Sequence, residues 1–356
     1  MTDFIAWLDD LDPPTANAVA GAKMGRLSEL SRLGFRVPRG FTVTVDAFRQ
    51  HYVESGMEAL VERQLSTLPE SADQARLAKV ADAIRAAFEE TSVAETLTSA
   101  IADAYAELSY RCGDINQPVA VRSSATGEDA AEASCAGVFD TYLGMTGETR
   151  VLAAINRCWV SLFSARALRY RQERGIPHHP VAMAVGVLEL VHARVSGVAF
   201  SIHPVTGNRE RMVIEGTWGW GEAVVQGVVS PDHIEICKDD RRVLSHDVAD
   251  KSLMSTFDYA RGEIVEAEMP ARFRNAPSLD EEQIGAVADA VCAIEQHFGH
   301  PVDVEWVIDR TRRPGEPVSI VQARPVTVFG GTESPQSATQ WNPGAYADKY
   351  AFGEGL

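Results

Sequence analysis

Apolar residues recur along this chain at two spacings, and the switch between them divides it. Up to about residue 175 the helical spacing of three and four dominates. Leu27, Leu30 and Leu33 mark a helix opened by Gly21-Ala22-Lys23-Met24-Gly25 and closed by Gly34. The β-branched and aromatic run 41–45 predicts a strand, and Asp46 predicts an N-cap for the helix that starts at Ala47-Phe48. Residues 56–109 are rich in Ala, Leu and Glu and predict two or three helices. Leu152, Ile155, Trp159, Leu162, Phe163 and Leu168 predict one long amphipathic helix over 148–174. Strands at 118–122 and 138–143 interrupt this helical part.

From residue 181 the period falls to two. Strands are expected at 181–191, 196–202, 211–216, 233–237, 302–308 and 317–323. A helix is expected over 280–298, with Asp280 near its start and Gly299 just past its end. A short helix, 222–226, is expected after a glycine-rich turn. The class is therefore α+β. A helix-rich first lobe (1–186) precedes a strand-rich second lobe (187–330), and a tail (331–356) is a candidate docking segment. Ligand pockets favour domain interfaces, so the cleft between lobes is the expected binding place.

Composition narrows the function classes. The net charge of −17, from 33 basic and 50 acidic residues, argues against nucleic-acid or anionic-membrane binding but allows a local cationic pocket. The five cysteines are scattered, with no C-x-x-C pair and no zinc spacing, as expected of reduced thiols in the cytoplasm. The N-terminus is acidic and lacks the basic start of a secretory signal. No apolar run comes near the about 18 residues that span a membrane.

Two segments carry candidate chemistry. In Val119-Ala-Val-Arg-Ser-Ser-Ala-Thr126, a strand ends in Arg122 and three hydroxyls follow. A guanidinium fork beside small residues suits phosphate oxygens. In the closing strands, Asp303 and Glu305 share one face, as do Gln322 and Arg324. If these strands pair, one patch holds two carboxylates, an amide and a guanidinium. Such oxygens suit Mg²⁺, which takes one or two protein carboxylates plus nucleotide phosphates. Arg324 can pair with Asp303 or Glu305 or contact a phosphate; a structural bridge at a sheet edge is the competing reading.

Together with Gly21-Ala-Lys23, Gly34-Phe-Arg-Val-Pro-Arg-Gly-Phe41, Ala133-Ser-Cys-Ala-Gly137, Cys158-Trp-Val-Ser-Leu-Phe-Ser-Ala-Arg166, Ser196-Gly-Val-Ala-Phe200, His203-Pro-Val-Thr-Gly207 and Trp218-Gly-Trp-Gly-Glu-Ala-Val-Val-Gln-Gly227, these segments have a specific order. That order resembles the nucleotide-binding part of the phosphoenolpyruvate synthase and pyruvate phosphate dikinase family, from about residue 17 to 328. The resemblance implies an ATP-grasp fold, two lobes clamping ATP with Mg²⁺ (Mn²⁺ as an alternative). It implies that Lys23, Arg122 and Thr126 hold phosphates and that Glu305 and Gln322 hold the metal, with Asp303 nearby. It implies that Arg324 stabilises the transferring phosphoryl group and that the backbone of Glu189, Leu190 and Val191 reads adenine. Gln226 and Lys251 are further candidate nucleotide contacts. Catalysis would rest on Lys23, Arg122 and Arg324.

Three positions depart from the family pattern: Ala22 stands where a second glycine is favoured, Cys135 for an aromatic and Val138 for a glutamine. No histidine lies in the family's Thr-x-Gly-Gly-x-x-x-His context. The resemblance and the length imply the ATP-binding subunit of a split phosphotransferase, of the phenol-phosphorylating branch. It would pass a β-phosphoryl group to a histidine on a partner subunit that binds phenol, with AMP and phosphate released. The alternatives are the ATP-binding domain of a phosphoenolpyruvate synthase or of a rifamycin phosphotransferase, or a nucleotide sensor without catalysis.

Overall fold

A computed structural model describes residues 4–69, 71–126, 138–221 and 229–326. Gln226, Cys135, the expected helix 222–226 and the tail 331–356 lie outside the described residues. Two compact units emerge among the described residues, one from 4–28, 39–126 and 138–190, the other from 29–38 and from 191 onward. The crossing thus falls at 190/191 rather than 186/187, and residues 29–38 belong with the later part of the chain.

The first unit contains β1 (Ile5–Trp7), most of α1 (Pro13–Arg32), β2 (Gly40–Val43), α2 (Val45–Glu54), α3 (Met57–Leu65), α4 (Gln74–Glu90) and α5 (Glu95–Cys112). It continues through β3 (Val119–Ala125), β4 (Thr141–Met145), α6 (Glu148–Ser161), α7 (Ala165–Glu173) and β5 (Met183–Glu189). The strands form an antiparallel sheet in the order β1-β2-β5-β3-β4. Phe41, Phe48, Phe88, Trp159 and Phe163 fill the core between sheet and helices.

Three local expectations change here. The cap of α2 is Thr44, whose side chain accepts from the Ala47 N–H, and Asp46 lies in the first turn instead. Strand β3 runs on to Ala125, so Arg122 sits inside the strand and not at its end. The single helix over 148–174 is two, because Ser164 caps α7 by accepting from the Ala167 N–H. By length and composition alone the stretch Glu148–Glu173 is apolar enough to cross a membrane, although arginines interrupt it. Its Trp159, Phe163 and Leu168 lie in the core of this unit.

The second unit contains β6 (Ala193–Phe200), β7 (Arg211–Trp218), β8 (Asp232–Cys237), β9 (Val243–Asp247), β10 (Leu253–Asp258), β11 (Glu263–Glu268), α8 (Ala271–Arg274), α9 (Glu281–Phe298), β12 (Val302–Asp309) and β13 (Ser319–Pro325). Six strands form a sheet in the order β13-β12-β6-β7-β8-β9, while β10 and β11 form a separate hairpin. Helix α9 starts after Asp280 and ends at Gly299, in the left-handed region, as the sequence predicts, and Asp280 forms a capping box with Gln283. Its Ile284, Val287, Val291 and Ile294 join Ile214, Ile234, Val304 and Trp306 in one apolar cluster.

Side chains directly opposite in antiparallel strands share a face. The register therefore sets Gln322, Glu305, Val198, Glu215 and His233 in one row across five strands. This face is polar, and the alternate residues of the same strands supply the apolar cluster.

Candidate functional site

The structure builds two groups of candidate residues, one in each unit. In the first, α1 is interrupted at Gly21, whose φ of 74° and ψ of 169° are not helical. A Cβ there would lie 2.0 Å from the Ser124 carbonyl oxygen, so glycine is what allows α1 to meet β3. Beyond the break the chain resumes its helix, and the Met24 N–H donates to Ser124 Oγ at 3.2 Å. The contact draws Lys23 toward the strand that carries Arg122. Burial first, then the Asp140 charge, push the Cys158 thiol up, and the Lys23 charge opposes them. Arg122 is buried at 8 % exposure and sits opposite Gly186 and Thr141. Thr126 follows the strand and is exposed. Sequence reasoning grouped Ser124 with the phosphate-facing hydroxyls; its contact with α1 shows only in three dimensions.

In the second unit, β12 and β13 pair antiparallel, with Asp303 opposite Arg324 and Glu305 opposite Gln322. Both Nε and Nη2 of Arg324 reach Asp303 Oδ2 at 2.7 Å, which settles the choice of partner for Arg324. Asp303 and Gln322 are buried, at 5 % and 6 % exposure, while Glu305 is half-buried. The Glu305 carboxylate has no hydrogen bond to a described residue. No cluster of three His, Cys, Asp or Glu side chains able to hold a metal occurs among the described residues. One uncommitted carboxylate beside one amide is a sparse, all-oxygen donor set. It suits a hard cation whose remaining ligands are water and phosphate, and it does not suit zinc.

The segment expected to read adenine divides by role. The Glu189 N–H donates to the Arg39 carbonyl and the Leu190 N–H to the Pro118 carbonyl, each at 2.8 Å. The Glu189 carboxylate accepts from the Arg39 N–H at 3.0 Å and from Cys112 Sγ at 3.1 Å. Burial and this bond push the Cys112 thiol up to about 12. The Val191 N–H donates to no described residue, so of the three amides only this one is left for a base.

Lys251 is not brought to either group. It is fully buried, at 0 % exposure, and its ammonium pairs with the equally buried Asp232. Asp232 stands opposite Gly216, one residue along from Glu215, and so faces the side of the sheet away from Glu305. The nucleotide contact that the resemblance implies at Lys251 therefore falls on a buried ion pair. Replacing Lys251 with methionine should cost about 2–3 kcal/mol, below the usual 3–5 for a broken buried pair. The moderation comes from two backbone N–H groups, of Ala249 and Ser278, that still donate to Asp232. Urea denaturation of Lys251→Met beside the unmodified chain checks this, and an unchanged midpoint would show that the buried pair does not hold the fold.

The chain matches, over residues 17–343, the family described as "Pyruvate phosphate dikinase, AMP/ATP-binding domain". It is 36 % identical over 348 residues to a phosphoenolpyruvate synthase of Aeropyrum pernix, covering 91 % of this chain and 42 % of that protein. It is 38 % identical over 330 residues to a probable phosphoenolpyruvate synthase of Methanothermobacter thermautotrophicus, covering 93 % and 47 %. It is also 36 % identical over 327 residues to a rifampicin phosphotransferase of Streptomyces sviceus, covering 91 % and 36 %. The chain spans less than half the length of these curated relatives. With the arginine-bearing strand and the paired acid–amide strands in place, the chain belongs to the AMP/ATP-binding domain family of pyruvate phosphate dikinase and phosphoenolpyruvate synthase.

Proposed function

We propose that this chain binds ATP with Mg²⁺ in an ATP-grasp site and passes the β-phosphoryl group to a histidine on a partner subunit. The observation that carries the reading is the pairing of Asp303 with Arg324 and of Glu305 with Gln322 on neighbouring strands. Glu305 and Gln322 hold the metal, which supplies positive charge to the phosphates when bound. Lys23, Arg122 and Thr126 hold the phosphates, and Val191 holds the base. Arg324, fixed by Asp303, stabilises the group in transfer. Phosphoryl transfer asks little covalent chemistry of the protein and much positioning and charge neutralisation, which these groups provide.

The histidine nitrogen attacks the β-phosphorus, the bond from that phosphorus to the α-phosphate oxygen breaks, and AMP leaves. Water then releases the γ-group as phosphate. None of the nine histidines lies in the family's phosphorylated motif, which is why the acceptor is placed on other residues than these. For the final acceptor we propose phenol, as in phenylphosphate synthase, on the resemblance to the phenol-phosphorylating branch. Two relatives, named for phosphoenolpyruvate synthesis and rifampicin phosphorylation, combine similar ATP-binding regions with different acceptors.

The test uses ATP labelled at the β-phosphate, Mg²⁺ and a co-expressed histidine-bearing partner, with and without phenol. Acid-labile label on the partner with AMP release is expected, and phenol should discharge the label as phenylphosphate. ADP formed by the chain alone, or label kept on this chain, would overturn the transfer reading. Label that phenol leaves in place would overturn the acceptor. Arg122→Ala is expected to slow labelling by at least about 10²-fold, the scale of losing one preorganised charge donor.

A further inference from the structure

Val191 and His192 connect β5 to β6, and side chains from much later in the chain hold them. The Trp220 indole Nε1 donates to the Val191 carbonyl at 3.0 Å. The Tyr259 hydroxyl lies 2.8 Å from His192 Nδ1, and the His192 carbonyl accepts from the Arg310 N–H at 2.8 Å. Both aromatic residues are set by β10. The Trp220 N–H donates to the Ser255 carbonyl at 3.2 Å. At Gly219, where φ is +72°, a Cβ would meet that carbonyl at 2.0 Å, so glycine is what admits β10 here. Phe257 of β10 packs edge-on against Tyr259, with centroids 5.0 Å apart.

The result is a residue held at its carbonyl and open at its N–H. Val191 is 9 % exposed and Trp220 6 %. The Val191 carbonyl is committed to the indole, while its N–H has no acceptor among the described residues. Buried amide donors are nearly always satisfied in folded proteins, so an unsatisfied one at a binding segment points to an acceptor on a ligand.

We propose that Trp220, braced by β10, is a positioning residue that orients the Val191 N–H toward a ring-nitrogen acceptor of the purine base. The inference rests on the ATP-binding reading above. The indole acts through Val191 and does not touch the nucleotide. It also gives the site its base specificity. N1 of adenine is an acceptor and N1 of guanine carries a hydrogen, so a fixed N–H donor at this edge favours ATP over GTP.

The experiment is calorimetric titration of the full chain with MgATP, MgGTP and magnesium tripolyphosphate, which has phosphates and no base. Trp220→Phe keeps an aromatic ring and removes the donor. It should weaken MgATP about tenfold, the worth of one hydrogen bond, and lower the ATP/GTP ratio by a similar factor. Tripolyphosphate affinity should stay at the wild-type value. Trp218→Phe is the control, since the Trp218 indole donates to the Phe273 carbonyl at 3.2 Å instead, and it should leave the ratio unchanged. An unchanged ratio in Trp220→Phe, or an equal loss of tripolyphosphate binding, overturns the proposal. If Trp220→Phe does not fold, Tyr259→Phe decides: Tyr259 is 64 % exposed, and loss of its hydroxyl should cost two- to threefold in MgATP alone. A ratio unmoved in that variant is then fatal. Failure of the wild-type chain to bind MgATP would instead strike at the ATP-binding reading itself, which separates the two failures.

Discussion

Replacing Arg324 with alanine is expected to cost about 3–5 kcal/mol of stability and at least about 10²-fold in phosphoryl transfer. The stability loss follows from Asp303, which is 5 % exposed and takes two 2.7 Å contacts from the Arg324 guanidinium. Removing the cation leaves a buried carboxylate without the charge that offsets its desolvation. The pair sits on β12 and β13, and β13 is an edge strand, so the loss should appear in the unfolding of the second unit. Arg324→Lys separates the two effects. A lysine keeps the charge and restores part of the stability, but it cannot hold Asp303 and present further planar donors together. Transfer should therefore remain low in Arg324→Lys while the urea midpoint recovers. If alanine leaves the midpoint unchanged, the pair is not a structural element. If lysine restores transfer, the guanidinium fork is not what the reaction uses.

That pair was half legible in the sequence. Alternation alone put Asp303 with Glu305 and Gln322 with Arg324, and the observed register joins them in one patch. Alternation could not choose the partner of Arg324, because both acids face the same way and only the register offset decides. The ends of α9 were legible for a similar reason: Asp280 and Gly299 each act within one turn of chain. Failures came where distant chain decides. Asp46 and Thr44 are both good caps by type, and the end of β2 at Val43 selects Thr44. The hairpin of β10 and β11 escaped notice because Glu263, Glu266 and Glu268 make β11 read as solvated loop. Trp220 looked like part of a glycine-rich turn, since its role depends on Val191, 29 residues earlier.

The first group of candidate residues depends on a backbone feature, which makes Gly21 more sensitive than any of the charged side chains it helps to place. Gly21→Ala is expected to destabilise the first unit by about 2–6 kcal/mol, from two additive sources. A φ of 74° with ψ of 169° lies where side chains are strongly disfavoured, at about 1–3 kcal/mol. The new Cβ would also lie 2.0 Å from the Ser124 carbonyl oxygen and 2.5 Å from Ser124 Oγ, so backbone must move, at a further 1–3 kcal/mol or about that. Gly34→Ala is the milder comparison: φ there is 85°, but nothing lies within 4 Å of the added carbon. The larger loss is expected in Gly21→Ala, where backbone conformation and the contact of α1 with β3 both oppose the side chain. The movement must also break the Met24 to Ser124 hydrogen bond and carry Lys23 away from β3. Tripolyphosphate affinity should therefore fall in Gly21→Ala and hold in Gly34→Ala. Equal melting temperatures and equal affinities in the two variants would show that the Gly21–Ser124 contact does not build the group proposed to hold phosphate.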